Sequence, residues 1–435
     1  MPLNITVVGT GYVGLITGVC LAKLGNQVTC YDIDEVKIRK LSNGEATIYE
    51  DGLEELLTNV INENLIAFTT NPSEAYYKAD FIFLAVGTPE NKDGSTNLAY
   101  IEQATDEISL YMKDSATIVI KSTVPVGTNE KVQHRISRKS KKKFSMASNP
   151  EFLREGSAIR DFFFGDRIII GTEDECTKSK LENLYSPLNI SILHTEIRSA
   201  EMIKYASNAF LATKVSFINE IANLCEKVGA NINSVSKGVG LDQRIGPHFL
   251  QAGIGYGGSC FPKDTKALVQ VAGDVNHRFD LLEAVINVNA RQQTILLQKA
   301  KSKFGSLNGK QVAVLGLSFK PNTDDIREAA SIVMVEKLLQ EGATVKVYDP
   351  IALGNFKKLG FAVQYCESIE QCISGADMAF ILTEWDEIRN YPEEGYKVHM
   401  REPVIFDGRN CLRNGSQEKI EYIGIGYPAK EFSAI

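Results

Sequence analysis

The chain opens with a short apolar run, Ile5 to Val8, a glycine turn GTGYVG at 9–14, apolar residues at helical spacing up to Gly25, and a second apolar run ending at Asp32. Short runs predict strands and a 3.6-residue rhythm predicts a helix, so this is a βαβ unit. Further strands are predicted at ADFIFLAVGTP from 79, ATIVIKSTVPVG from 116 and FSMAS at 144–148.

The same grammar restarts at 310. KQVAVLGLSFKPNTDDIREAASIVMVEKLLQEGATVKVYDP gives strand, loop, helix and strand, and again ends on an aspartate, Asp349. GADMAFILTEWDE from 375 echoes KADFIFLAVGTP. Between the copies, 199–230 and 280–304 carry apolar residues at helical spacing, the first densely enough for a helix buried on more than one side. The expected fold is α/β: two Rossmann-like parallel-sheet domains joined by a central helical segment, with boundaries at 1–198, 199–305 and 306–435. A long apolar helix between two sheet domains further predicts a homo-oligomer, dimer or larger.

Composition changes little in this picture. The 435 residues exceed one core, and 44% hydrophobic with 23% charged residues is ordinary for a soluble globular chain. With no basic leader before the first apolar run and no apolar stretch near the roughly 20 residues of a span, a cytoplasmic protein without membrane insertion is expected. Eight cysteines are scattered without CxxC or a Cys/His cluster, which argues against a metal site and a disulfide framework. A net charge of -7 disfavours nucleic acid as a partner, and the basic run RKSKKK at 138–143 is read as a solvated turn.

Chemistry enters with the glycines. Gly9 allows the tight turn, Gly11 lets backbone approach a pyrophosphate, and Gly14 permits close packing of helix on strand, with Tyr12 and Val13 between them at the helix start. Asp32 follows about twenty residues on, where an acid accepts from ribose hydroxyls and repels a 2′-phosphate. The cofactor expected is NAD, a preference that Lys37 weakens slightly. Thr88 and Thr123 end the next strands, at the carboxyl-end crevice of a parallel sheet. The second copy reads GLSFK at its turn, so Phe319 and Lys320 occupy the place of the glycines and a different phosphate is expected there.

On the central helix, Lys204 and Asn208 stand at i and i+4 and share one face. The plain alternative is an edge lysine that snorkels to solvent. YGGSCFPKD at 256–264 places Cys260 behind Gly257 and Gly258, which let a ligand or backbone approach closely. Phe261-Pro262 is read as ending any regular element, and Lys263 and Asp264 follow. Nearby positive charge favours a thiolate, and Lys204 and Lys263 are candidates for supplying it. An NAD site with an activated cysteine implies aldehyde chemistry: the thiolate adds to the carbonyl, the thiohemiacetal gives up hydride, and water releases an acid from the thioester.

Together with STVPVGT at 122–128, NPEFLREG at 149–156, KYASNAFLATKVSFINE at 204–220, DQRIGPHFLQAGIGYGGSCFPKD at 242–264 and LGLSFKPNTDDIRE at 315–328, these motifs resemble the UDP-glucose/GDP-mannose dehydrogenase family over essentially the whole chain. The resemblance implies oxidation of the C6 alcohol of UDP-glucose to the acid, with two NAD and one water and no release of aldehyde. It makes Cys260 the nucleophile, sets Lys204 and Asn208 near the C6 oxygen, gives Asp264 and Thr123 a water to orient, and makes Glu151 the base for thioester hydrolysis. Glu155, Lys263 and Arg327 are implied on the cofactor side. Phe152, Leu153 and Arg154 are implied along the sugar, and Phe249, Leu250, Gln251, Ala252, Gly253 and Gly257 around the nucleotide-sugar. Lys320 matches a phosphate contact, Arg409 another substrate contact, and Arg244 a residue donated across a dimer interface. Arg154 stands where many relatives carry a small residue.

Two other readings stay open at this point. A sister enzyme acting on GDP-mannose shares GGSC-x-PKD, whereas relatives acting on UDP-N-acetyl sugars usually carry histidine where this chain has Ser259. A non-catalytic nucleotide-sugar sensor keeps the fold but has no use for Cys260, Lys204, Asp264 and Glu151 together.

Overall fold

The computed structural model describes residues 2–412 and 420–427, so the rest of the expected 306–435 segment lies outside the described residues. The chain divides into two compact units, Met1–Ser207 and Asn208–Ile435.

The first unit is an eight-stranded sheet. Its strands are β1 (Asn4–Val8), β2 (Gln27–Tyr31), β3 (Ile66–Thr69), β4 (Phe81–Leu84), β5 (Ala116–Ile120), β6 (Phe144–Ser148), β7 (Ile168–Gly171) and β8 (Ile192–Thr195), in the order 3-2-1-4-5-6-7-8. All neighbours run parallel except β6 and β7. Helices cover both faces, so alternate residues of each strand enter different cores. Ile5, Val7, Phe81 and Phe83 pack on one side. Val8, Ile82, Leu84 and Ile118 pack on the other. That two-sided burial is why these strands read as unbroken apolar runs. The order reverses between β1 and β4, and a ligand crevice opens beyond the carboxyl ends of strands at such a switch.

The second unit repeats the plan with β9 (Gln311–Leu315), β10 (Thr344–Tyr348), β11 (Gln364–Tyr365), β12 (Met378–Ile381), β13 (Val404–Asp407) and β14 (Glu421–Ile423), all parallel in the order 11-10-9-12-13-14. Phe380 and Phe406 stack at 4.9 Å inside it, each worth roughly 1.5 to 3 kcal/mol of burial. Asp349, at the place corresponding to Asp32, accepts from Leu317 N, Ser318 N and Trp385 Nε1 and is buried. Its oxygens hold the chain's own turn.

The central helix runs over Ile197–Val228. The pattern at 280–304 is two helices, Asp280–Gln292 and Ile295–Phe304, where one was expected. Thr294 interrupts it: its hydroxyl donates to Arg291 O at 3.0 Å, competing locally with the helical bonds. Phe261-Pro262 also corrects the expectation, for it begins the helix Phe261–Asp274. Proline is tolerated in a first turn, where its missing N–H has no partner to lose. Among the described residues no helix is long and apolar enough to cross a membrane, and no group of His, Cys, Asp and Glu has the arrangement of a metal site.

Candidate active site

In the first unit the glycine turn has the geometry its spacing implies. Gly9 has φ +91°, and a Cβ there would lie 2.9 Å from Ala85 O; one on Gly14 would lie 1.8 Å from Gly9 O. Gly11 differs, because beyond its own chain neighbours no atom stands within 4 Å of its added Cβ. The open space borders the start of the helix Tyr12–Lys23, which no side chain caps, so the residues present fit an anionic pyrophosphate. Asp32 accepts from Thr10 N and Thr10 Oγ1, both at 2.8 Å, with Lys37 Nζ at 3.6 Å. Burial pushes its carboxyl up, but these donors and Lys37 prevail and hold it below the usual carboxylate range. It is therefore a charged carboxylate at neutral pH.

Glu50, which the sequence pattern did not single out, ties this turn to the loop after β6. Tyr12 donates its hydroxyl to Glu50, whose carboxylate also accepts from Gly156 N at 2.7 Å and Ala158 N at 2.6 Å. Val13 packs at the edge of the core. Thr88 Oγ1 donates to Thr123 O at 3.0 Å, joining the ends of the two strands that precede them.

The loop after β6 carries the first reactive cluster. Glu151 and Lys204 form an ion pair at 2.9 Å with both side chains about 5% exposed, and the other Glu151 oxygen accepts from Leu153 N at 2.6 Å. The Phe152 ring lies under Arg167, 3.8 Å from the guanidinium carbon, with Lys204 Nζ 5.3 Å from its centroid. Arg154 turns to the surface and forks onto Asp161, while Glu155 is half-buried. Lys121 was missed by sequence reasoning although it follows the β5 run directly. It is buried, donates to Asn149 Oδ1 at 3.1 Å, and burial pushes it down to about 8; Glu151 opposes that shift and Lys204 adds to it. Glu201, also missed, accepts from Gly127 N and from Asn129 N and Nδ2, fixing the central helix one turn before Lys204.

The second unit holds the cysteine cluster. Cys260 is the residue immediately before the helix Phe261–Asp274, half-buried, its carbonyl accepting from Asp264 N at 2.8 Å. The first-turn N–H groups of a helix favour an anion at this position. Asp264, 1% exposed, accepts from Asn208 Nδ2 at 2.6 Å and pairs with Lys263 Nζ at 2.5 Å. Asn208 lies one turn beyond Lys204 on the central helix. The close approach permitted by Gly257 and Gly258 is to the chain itself: a Cβ on Gly257 would meet Glu328 O at 2.2 Å, and one on Gly258, φ +82°, the Phe319 ring at 2.7 Å.

Beside this lies a cavity of about 360 Å³ whose lining includes Phe249, Gln251, Gly253, Gly257, Phe319, Lys320 and Arg409. Leu250 and Ala252 alternate with its lining residues and turn into the core instead. The Arg409 side chain donates to Leu382 O, Gly255 O and Phe319 O and pairs with Glu384 at 3.2 Å, stitching three loops around the space. Asp407 orders the Arg409 loop by accepting from the N–H groups of Arg409, Cys411 and Leu412. Arg327 forks onto Asp325, and Arg244 projects into solvent paired with Asp242.

Comparison with known proteins gives three consecutive matches to the UDP-glucose/GDP-mannose dehydrogenase family: its NAD binding domain over residues 3–189, its central domain over 198–291 and its UDP binding domain over 313–414. UDP-glucose 6-dehydrogenase YwqF of Bacillus subtilis is 53% identical over 432 residues, with 98% of each chain covered. UDP-glucose 6-dehydrogenase TuaD of the same organism is 46% identical over 431 residues, covering 98% of this chain and 94% of that one. Among solved structures, a UDP-glucose dehydrogenase from Pyrobaculum islandicum superposes with a TM-score of 0.93 at 38% identity, with 98% of each chain covered.

Proposed function

The chain belongs to the UDP-glucose/GDP-mannose dehydrogenase family, and from that premise we propose that it oxidises UDP-glucose to UDP-glucuronate in two NAD-dependent steps through a thiohemiacetal and a thioester on Cys260. The observation that carries this reading is Cys260 at the start of a helix beside Lys263 and Asp264. A simple alcohol dehydrogenase needs no such thiol; a four-electron enzyme does.

NAD, when bound, supplies the acceptor for a hydride at each oxidation. Gly9 to Gly14 and Asp32 are assigned to hold it, with Thr88, Glu155, Lys263 and Arg327 contributing on the same side. Lys204 and Asn208 stabilise oxygen at C6 as it becomes anionic. The Cys260 sulfur adds to the aldehyde carbon and forms the C–S bond of the thiohemiacetal, which loses hydride to become a thioester. Glu151 takes a proton from the hydrolytic water, whose positioning is assigned to Asp264 and Thr123. The C–S bond then breaks and the thiolate is restored. The segments 1–198, 199–305 and 306–435 are assigned cofactor binding, a helical linker and nucleotide-sugar binding.

An assay of cofactor reduction across UDP-glucose, UDP-galactose, UDP-N-acetylglucosamine and GDP-mannose, each with NAD and NADP, tests the reading. UDP-glucose with NAD is expected to give the highest kcat/KM. A GDP-mannose optimum would overturn the substrate, and equal use of NADP would remove Asp32 from the ribose.

Lys320 lines the cavity of the second unit and is assigned a phosphate of the sugar nucleotide. Lys320→Ala should weaken UDP-glucose binding by about 1.5 to 3 kcal/mol, as loss of a charge-assisted hydrogen bond does, and leave NAD affinity unchanged. Calorimetric titration with each ligand separates the two.

A homo-oligomer is part of the same proposal. Phe210, Phe217 and Leu224 recur every seven residues on the central helix and are exposed, a seam suited to a second copy of the chain. The exposed Arg244 is assigned to reach the neighbouring copy. Light scattering should give at least twice the 48.0 kDa of one chain, and a monomer in active enzyme would dismiss the assignment.

A further inference from the structure

Behind the first sheet, the helices Ala99–Tyr111 and Thr128–Lys139 pack side by side, and a cavity of about 860 Å³ lies along them, reaching Arg198. It contains none of the residues assigned above to cofactor or substrate. Its floor includes the buried apolar side chains of Ile101 and Val132.

The rim is cationic. Lys131, His134, Arg135 and Arg138 stand at i, i+3, i+4 and i+7, so one helix face presents them over about 10 Å. Carboxylates neutralise part of the set: Arg135 forks onto Asp106 and reaches Glu102, Lys139 pairs with Asp106, and Arg198 with Glu130. Lys131 and Arg138 are exposed, and among the described residues no ion pair engages either. A general excess of basic residues does not explain them, because the chain carries a net charge of -7. The helix dipole favours Arg138 in the last turn but does not explain Lys131, which is in the first turn, where a cation is disfavoured. The basic run RKSKKK thereby gains a place, since its first two residues form the far end of this rim on the last turn of the helix.

We propose that this cavity binds a small phosphorylated ligand of nucleotide size, its phosphates on Lys131 and Arg138 and its less polar portion over Ile101 and Val132. The volume lies within the roughly 300 to 1,000 Å³ of small-molecule sites, and concavity with an apolar floor suits a compact ligand better than an extended acidic peptide. Lysine and arginine supply the point charge and the planar fork that phosphate oxygens accept.

Calorimetric titration of GDP into the full chain and into the Lys131→Ala/Arg138→Ala variant tests it, because subtraction removes whatever nucleotide the other sites take. After that subtraction one binding event per chain is expected in the wild type, and it should weaken about ten-fold or more in the variant. The event should fade with added salt. Guanosine should fail to bind there, and pyrophosphate should bind more weakly than GDP. Identical isotherms for the two proteins would overturn the site, and equal binding of pyrophosphate or preferential binding of a polyglutamate peptide would overturn the ligand class. Both substituted side chains are exposed, and matching thermal unfolding curves establish that the fold is retained.

Discussion

Cys260→Ala is expected to abolish formation of the acid, lowering its rate by at least about 10³-fold, while leaving the first alcohol oxidation chemically possible. The intact enzyme should form two NADH for each UDP-glucose consumed, and trapping reagents should recover almost no aldehyde. The variant should form no more than one, and fewer in practice because oxidation of an alcohol by NAD is uphill. The reason is local. Removing the sulfur deletes the atom proposed to carry both intermediates, yet it leaves the Asp264 pairings with Asn208 and Lys263 intact. Retention of UDP-glucose affinity, measured separately, would show that the site still assembles. A Cys260→Ala enzyme that makes UDP-glucuronate at near wild-type rate would reduce the thiol to a structural element and end the covalent mechanism.

The fold was largely legible because parallel strands buried on both faces appear as plain apolar runs, and because the second sheet repeats the pattern of the first. Legibility failed where two local rules compete. Phe261-Pro262 looked like a terminator, since proline breaks the interior of a helix, but proline in a first turn starts one. The consequence was chemical: a cysteine before a break is merely guarded, whereas one at a helix start also stands at the positive end of the helix dipole. Thr294 misled in the opposite sense, its hydroxyl interrupting a stretch whose apolar rhythm continues through it. At the candidate site, residues inside motifs were nameable from sequence, but their supports were not. Glu50, Lys121 and Glu201 act across long stretches of chain on backbone N–H groups or on buried charge, and nothing in spacing announces such partners. The apolar alternation that sends Leu250 and Ala252 into the core was present in the sequence, yet it was subsumed in a motif taken whole.

Lys204→Ala should lower kcat by about 10² to 10³-fold, the effect of deleting one group that stabilises a developing oxyanion. Lys204 is also half of an ion pair with Glu151, both side chains about 5% exposed, so its loss threatens the fold as well. Breaking a buried pair ordinarily costs roughly 3 to 5 kcal/mol, because a charge remains uncompensated. Two features soften that cost here: Leu153 N still donates to Glu151, and the charge of Lys121 still faces it. Removing Lys204 also removes the repulsion that helps depress Lys121, so Lys121 should hold its proton to higher pH in the variant and neutralise Glu151 more fully. The variant is therefore expected to fold, with a lower melting temperature. The double variant Lys204→Ala/Glu151→Gln separates the two roles of the lysine. If Lys204 serves only to neutralise Glu151, removing both charges should recover stability and the rate of the first NADH formed in a single turnover, which precedes the hydrolysis that Glu151 is proposed to assist. If it stabilises oxygen at C6, stability should recover while the first NADH of a single turnover still forms slowly. Turnover within a few-fold of wild type in the single variant would exclude Lys204 from the chemistry.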